Sequence, residues 1–107
     1  MKQEMQTALE AVKEVMIEDY MRFMPENERM QTEFIEGLAV KEGQKYIKIL
    51  QRNSVWGFVV NTETDKKFKY GDILKAAGYA APARNAARGN VFTNLGWIQW
   101  TGPAYLR

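Results

Sequence analysis

Apolar residues recur at helical spacing over the first 24 residues and at alternate positions from about residue 33 onward. This switch of period constrains the fold more than any other feature, because a helical pattern cannot settle as a strand, or the reverse. Met5, Leu9, Val12, Met16, Tyr20 and Phe23 follow one another at steps of four, three, four, four and three. They form one stripe of an amphipathic helix over residues 2–24, widened by Ala8, Val15 and Met24. Glu18 and Arg22 sit four apart in the favourable order, and Pro25 ends the pattern at Met24. A helix of this length measures roughly 33 Å, as long as a small domain is wide. The expectation is therefore a homo-oligomer, with part of the stripe packed on a second copy of the chain. A core helix with a frayed start is the alternative.

The period-two part reads as an antiparallel meander. Strands are expected at Phe34–Lys41, Gln44–Gln51 and Val55–Asn61, joined by turns at Glu42-Gly43 and Arg52-Asn53-Ser54. Gly57 inside the third strand signals a bulge or a close backbone approach. Residues 62–67 form a polar loop, and Phe68–Tyr70 extends the sheet briefly. Two short helices are then expected. Asp72 caps one over Ile73–Ala77, stopped by Gly78; Pro82 opens the other over Pro82–Arg88, stopped by Gly89. Trp97–Thr101 is the last strand. The fold class is α+β: a long N-terminal helix, an antiparallel sheet of about four strands, and two short helices before the last strand. At 107 residues the chain is a single domain, 1–107, with the helix over 1–24 and an α+β core over 33–107.

Missing residue types exclude much chemistry. Cys and His are both absent. That removes disulfides, thiolate chemistry, the commonest metal ligands and the commonest general base. Ser54 is the only serine and has no histidine to activate it. After residue 65 the only carboxylate is Asp72. Glu10, Glu14 and Glu18 are spaced at helical intervals, which fits a solvated face opposite the stripe better than a metal site. Neither a GxxxxGK[ST] loop nor a GxGxxG motif is present. The expectations are no enzyme activity, no catalytic residue, no cofactor and no metal. The apolar runs are too short to span a membrane. The opening MKQEMQTALE lacks the apolar stretch of a signal peptide, so a soluble cytoplasmic protein is expected.

The net charge of +2 hides an asymmetry. Residues 1–36 hold nine acids against four bases, and residues 66–107 hold seven bases against one acid. An acidic front and a basic back suit an anionic partner at the back, and equally suit attraction between the two ends. Within the basic part, Arg84 and Arg88 share one face of the expected helix, with Asn85 beside them, Asn90 after Gly89, and Lys75 on the preceding helix. Guanidinium forks match phosphate oxygens two at a time. Phe68 and Trp100 supply flat faces for a nucleobase, although most aromatics of so small a domain belong to its core. The candidate ligand-binding set is Phe68, Lys75, Arg84, Asn85, Arg88, Asn90, Trp100 and Arg107. A solvated basic face, or arginines tied to the acidic helix, is the competing reading.

GDILKAA (71–77), APA (81–83), ARGN (87–90) and WTG (100–102) resemble a motif shared by a widespread family of small phage-encoded proteins, similar to the phage anti-Thoeris sponges. The resemblance implies an oligomer that binds a cyclic ADP-ribose isomer and sequesters it, undegraded, in the host cytoplasm, counteracting host defence. It further implies that some members hold cyclic oligonucleotides at a separate subunit interface. Lys75, Arg88, Gly89 and Asn90 match the motif as they stand. Gly78-Tyr79 stands where the family usually has Ser-Trp, so a role carried by that Trp does not transfer. Two other readings stay open. One is a nucleic-acid-binding accessory protein using the basic half; the other is a structural or partner-inhibiting protein whose charges serve assembly.

Overall fold

The computed structural model describes residues 1–106. Its elements are α1 (Gln3–Phe23), α2 (Glu28–Glu36), β1 (Leu38–Glu42), β2 (Tyr46–Gln51), β3 (Ser54–Val60), β4 (Ile73–Lys75), β5 (Ile98–Gln99) and β6 (Gly102–Pro103). β1–β4 form an antiparallel sheet in sequence order, and β5 and β6 form a separate ribbon. The class is α+β, as the change of period predicts.

α1 has the expected bounds. Glu4 in its first turn and Arg22 in its last suit the helix dipole. Met5, Ala8, Leu9, Val12, Met16 and Tyr20 are all buried, packed with Ile47, Ile49, Trp56, Val59 and Ile73. The stripe is buried from Met5 to Tyr20, where Tyr20 stacks on Phe34 of α2, while Phe23 at its end is 60% exposed. α1 is a core helix from Met5 to Tyr20, its first turn packed rather than frayed. Truncating Met16 to Ala would cost about 2–5 kcal/mol.

Several expectations are corrected. Phe68–Tyr70 is not part of the sheet, and of the expected strand Trp97–Thr101 only Ile98–Gln99 pairs, in the separate ribbon. Phe34 opens no strand; it lies in α2, which the sequence reading passed over. Asn27 starts that helix, its side-chain oxygen accepting from the Met30 amide at 3.1 Å. Residues 73–77 are not a helix. Ile73, Leu74 and Lys75 pair with Val59, Phe58 and Gly57 and complete the sheet. A short apolar run carries no period of its own, and the open edge of β3 gains more from a partner than one isolated helical turn gains. Residues 82–88 are not a helix either, but irregular chain that touches the outer edge of β4 at its two ends. There the Ala83 amide donates to the Lys75 carbonyl at 2.7 Å, Arg88 to Ile73 at 2.7 Å, and Ile73 to Gly89 at 3.0 Å.

Gly57 meets its expectation. The register slips between Ile49 and Leu50, leaving Trp56 as the extra residue of a bulge. A side chain at Gly57 would stand 3.0 Å from both the Leu74 carbonyl and the Pro103 ring. Gly89 has a φ of 122°, and a Cβ there would lie 2.4 Å from the Asn94 carbonyl. No other residue fits that turn. On the sheet face opposite α1, Phe58, Val60, Phe68 and Leu74 form a second cluster.

Candidate functional site

The four motif segments meet around β4. Residues 71–75 form that strand and its approach, 81–90 line its edge, and Gly102 lies beside the Lys75 ammonium. Much of the motif is therefore architecture. The Asp72 side chain caps no helix: it accepts from the Lys69 amide at 2.9 Å and from Asn90 Nδ2 at 3.0 Å. Asn90 also donates to the Tyr70 carbonyl and accepts from the Phe92 amide. Its carboxamide is spent on the turn and is not free for a ligand.

Without a helix, Arg84 and Arg88 share no face. Arg84 grips Asp65 with both nitrogens, at 3.0 and 3.1 Å, and Nη1 also donates to the Tyr46 hydroxyl. Its guanidinium lies 4.9 Å from the Phe68 ring centroid. The Asp65 side chain is 1% exposed and also accepts from the Lys67 and Phe68 amides. The Arg84 bond, followed by these two amides, holds the Asp65 carboxyl well below the usual carboxylate range. Phe68 is buried beneath this clamp and offers no face to a base.

Arg88 is 3% exposed. Nη2 donates to Asn85 Oδ1 at 3.0 Å and Nη1 to the Ala104 carbonyl at 3.3 Å. Buried Nε has no partner. Lys75 projects from β4 toward the same segment, donating to the Pro103 carbonyl at 2.8 Å and lying 3.9 Å from the Tyr105 ring centroid. Among the described residues neither cation takes part in an ion pair. Burial, and then the charge of Arg88, lower the pKa of the Lys75 ammonium. Among the described residues, every oxygen these two cations touch belongs to a neutral group. A cation withdrawn from water with only neutral acceptors remains short of counter-charge. Lys75, Asn85 and Arg88 thus form one basic site, flanked by Tyr105, which is 78% exposed.

Trp100 belongs elsewhere. It packs edge-on to Tyr20 at 5.1 Å and against Phe23 at 4.9 Å, in a cleft of about 590 Å³ between the end of α1, α2 and the β2–β3 turn. Arg107 lies outside the described residues. The eight expected residues are therefore dispersed: three form the cation site, Phe68 and Arg84 form the clamp, and Asn90 and Trp100 occupy two further places. The sequence reading missed Asp65 and Tyr105. Asp65 stands two and three residues before the amides it accepts, the spacing of an Asx turn. Tyr105 is one of several aromatics that interleave with the bases of the second half, which does not single it out.

Among the described residues no group of carboxylates could hold a metal ion, and no helix is long and apolar enough to cross a membrane. No family model, curated protein or solved structure matches the chain.

Proposed function

We propose that the protein is a non-catalytic binder that holds a cyclic nucleotide of the cyclic ADP-ribose class and sequesters it intact. One observation carries this reading: Arg88 is buried beside Lys75, and neither has a carboxylate partner among the described residues. A phosphate would supply the missing negative charge, and Arg and Lys donors are suited to it. Tyr105 gives an aromatic face next to the ammonium. The motif resemblance supports the choice of ligand and the phage setting, with action in the host cytoplasm. It also supports an oligomer, in which a second copy over the open Tyr105 flank would enclose the ligand.

Calorimetry with a cyclic ADP-ribose isomer, paired with native mass spectrometry, tests the reading. One ligand per subunit is expected, released unchanged when the protein is heat-denatured. Lys75→Met should weaken binding about tenfold or more, since a charge-assisted contact is worth about 1.5–3 kcal/mol. No heat and no added mass at millimolar ligand, or recovery of a cleaved product, would overturn it.

A further inference from the structure

The sheet has two faces, and only the one beneath α1 is covered across its width. On the other, Phe68 and Ala87 cover Phe58, Val60 and Leu74 at the β3–β4 side. The β1–β2 side stays open, with Ala39 and Lys41 exposed and Tyr46, Lys48 and Leu50 half-buried.

Charge on this open half is one-sided. Lys41 and Lys48 stand directly opposite each other in the β1–β2 register. Like charges at such positions weaken a sheet, so the facing pair costs the fold something, offset in part by the Phe58 and Tyr79 rings beside Lys48. Two carboxylates lie at the rim, and both are engaged. Glu42 contacts the Met1 ammonium at 3.2 Å, and Asp65 is held by Arg84, with Lys45 at 4.0 Å. Aromatic rings interleave with the lysines. Lys48 Nζ lies 4.1 Å from the Tyr79 centroid and Lys45 Nζ 5.5 Å from that of Tyr46. Tyr79 is 63% exposed. The surface forms a cleft of about 300 Å³, and through Gln44 and Lys45 it adjoins a second, of about 500 Å³, holding Lys66 and Arg84.

We propose that this open half-sheet binds single-stranded nucleic acid, with Lys41, Lys45, Lys48 and Lys66 tracking the phosphates and Tyr79 stacking on a base. The surface spans two adjoining clefts, which suits a strand rather than one small nucleotide. A duplex is read by an element that enters a groove. Both helices here present acids instead, among them Glu10, Glu14 and Glu18 on α1 and Glu28 and Glu36 on α2, all exposed. A single strand needs only a cationic track and rings on which to stack, both of which are present.

Fluorescence anisotropy with a labelled oligothymidine of about 12 nucleotides tests this, with the annealed duplex as comparison. Binding should favour the single strand. Log K should fall with log salt at a slope of about −2 to −3, as expected for four lysines at about −0.7 each. Lys41→Glu together with Lys48→Glu should weaken binding about ten- to a hundredfold and flatten that slope, and Tyr79→Ala should weaken it about tenfold. Lys41→Glu alone removes the cross-strand repulsion. Its melting temperature should hold or rise while its affinity falls, which separates a lost contact from a lost fold. Equal or tighter binding to duplex would overturn the proposal. So would binding unchanged in Lys41→Glu, or binding lost as strongly in Lys75→Met as in Lys41→Glu.

Discussion

Arg84 and Arg88 are the same residue type four positions apart, and the fold treats them in opposite ways. Arg84 is exposed, yet its charge is spent: both nitrogens meet the Asp65 carboxylate. Arg88 is buried, and its charge is not spent: its oxygens come from an amide and a backbone carbonyl, and Nε has none. The first ties the 62–68 loop to residue 84. The second stands beside Lys75 with no carboxylate partner among the described residues. The pair teaches that local density of basic residues does not locate a binding site. What locates it is the absence of compensation, and compensation is supplied by residues distant in sequence.

Exchanging each arginine for methionine is the most direct way to break this comparison. Arg88→Met keeps the volume and deletes the uncompensated charge, so affinity for a cyclic ADP-ribose isomer should fall about ten- to a hundredfold. Its melting temperature should hold or rise, because the penalty of burying an unpaired charge goes with it. Arg84→Met should do the reverse, lowering the melting temperature and leaving affinity within about twofold, which is the error range of a non-contacting site. Calorimetry and thermal melts on the two variants decide; a ligand lost in Arg84→Met and kept in Arg88→Met would invert the assignment.

Asp65→Ala should be the most destabilising single change in the clamp, lowering the melting temperature by several degrees, because it strands two amides as well as Arg84. Asp65→Asn gives a sharper version through pH. The folded pKa of Asp65 lies below its ordinary value of 3.8, so its contribution is fully present above that value and is lost as pH falls through the folded pKa. Melts from pH 7 downward should show a constant gap between wild type and Asp65→Asn to about pH 5, closing in stronger acid. A gap independent of pH would remove the carboxylate from the account.

Lys75 should give the smallest signal, with the opposite sign. Its folded pKa lies below the ordinary 10.5, so the charged form is disfavoured in the fold and stability rises as pH rises through the folded pKa. Wild type should therefore gain on Lys75→Met between neutral pH and about pH 10. Bound phosphate should abolish the gain by favouring the charged ammonium.

Legibility differed along the chain for physical reasons. α1 could be read residue by residue, since six buried positions repeat one period over 21 residues. β2 and β3 came within two residues of their expected bounds, and Gly57 announced the bulge. α2 was hidden because Asn27 caps only nine residues, and Phe34, its one buried residue, also fits an alternating pattern. β4 and the segment after it read as helices because Asp72, Gly78, Pro82 and Gly89 are helix punctuation in form. In the fold Asp72 leads into β4, Gly78 lies in the turn closed by Ala81, Pro82 bridges to Ala76, and Gly89 allows a close approach to Asn94. Of the candidate site, Lys75, Asn85 and Arg88 were legible as members of one set, though the helix face expected to join Arg84 to Arg88 does not exist. The opposition of Lys41 and Lys48 follows from the hairpin register once the turn at residues 43–45 is placed.

Residue types and local period alone determined the α+β class, the long helix and its buried stripe, the meander, and the excess of positive charge in the second half. These depend on neighbours within a turn or a pleat, which the order of residues states directly. Tertiary structure decided which positive charges are answered. Asp65 reaches Arg84 across 19 positions, and the Pro103 carbonyl reaches Lys75 across 28. Coulomb energy and desolvation depend on distance and burial in space, and no pattern along the chain encodes either quantity.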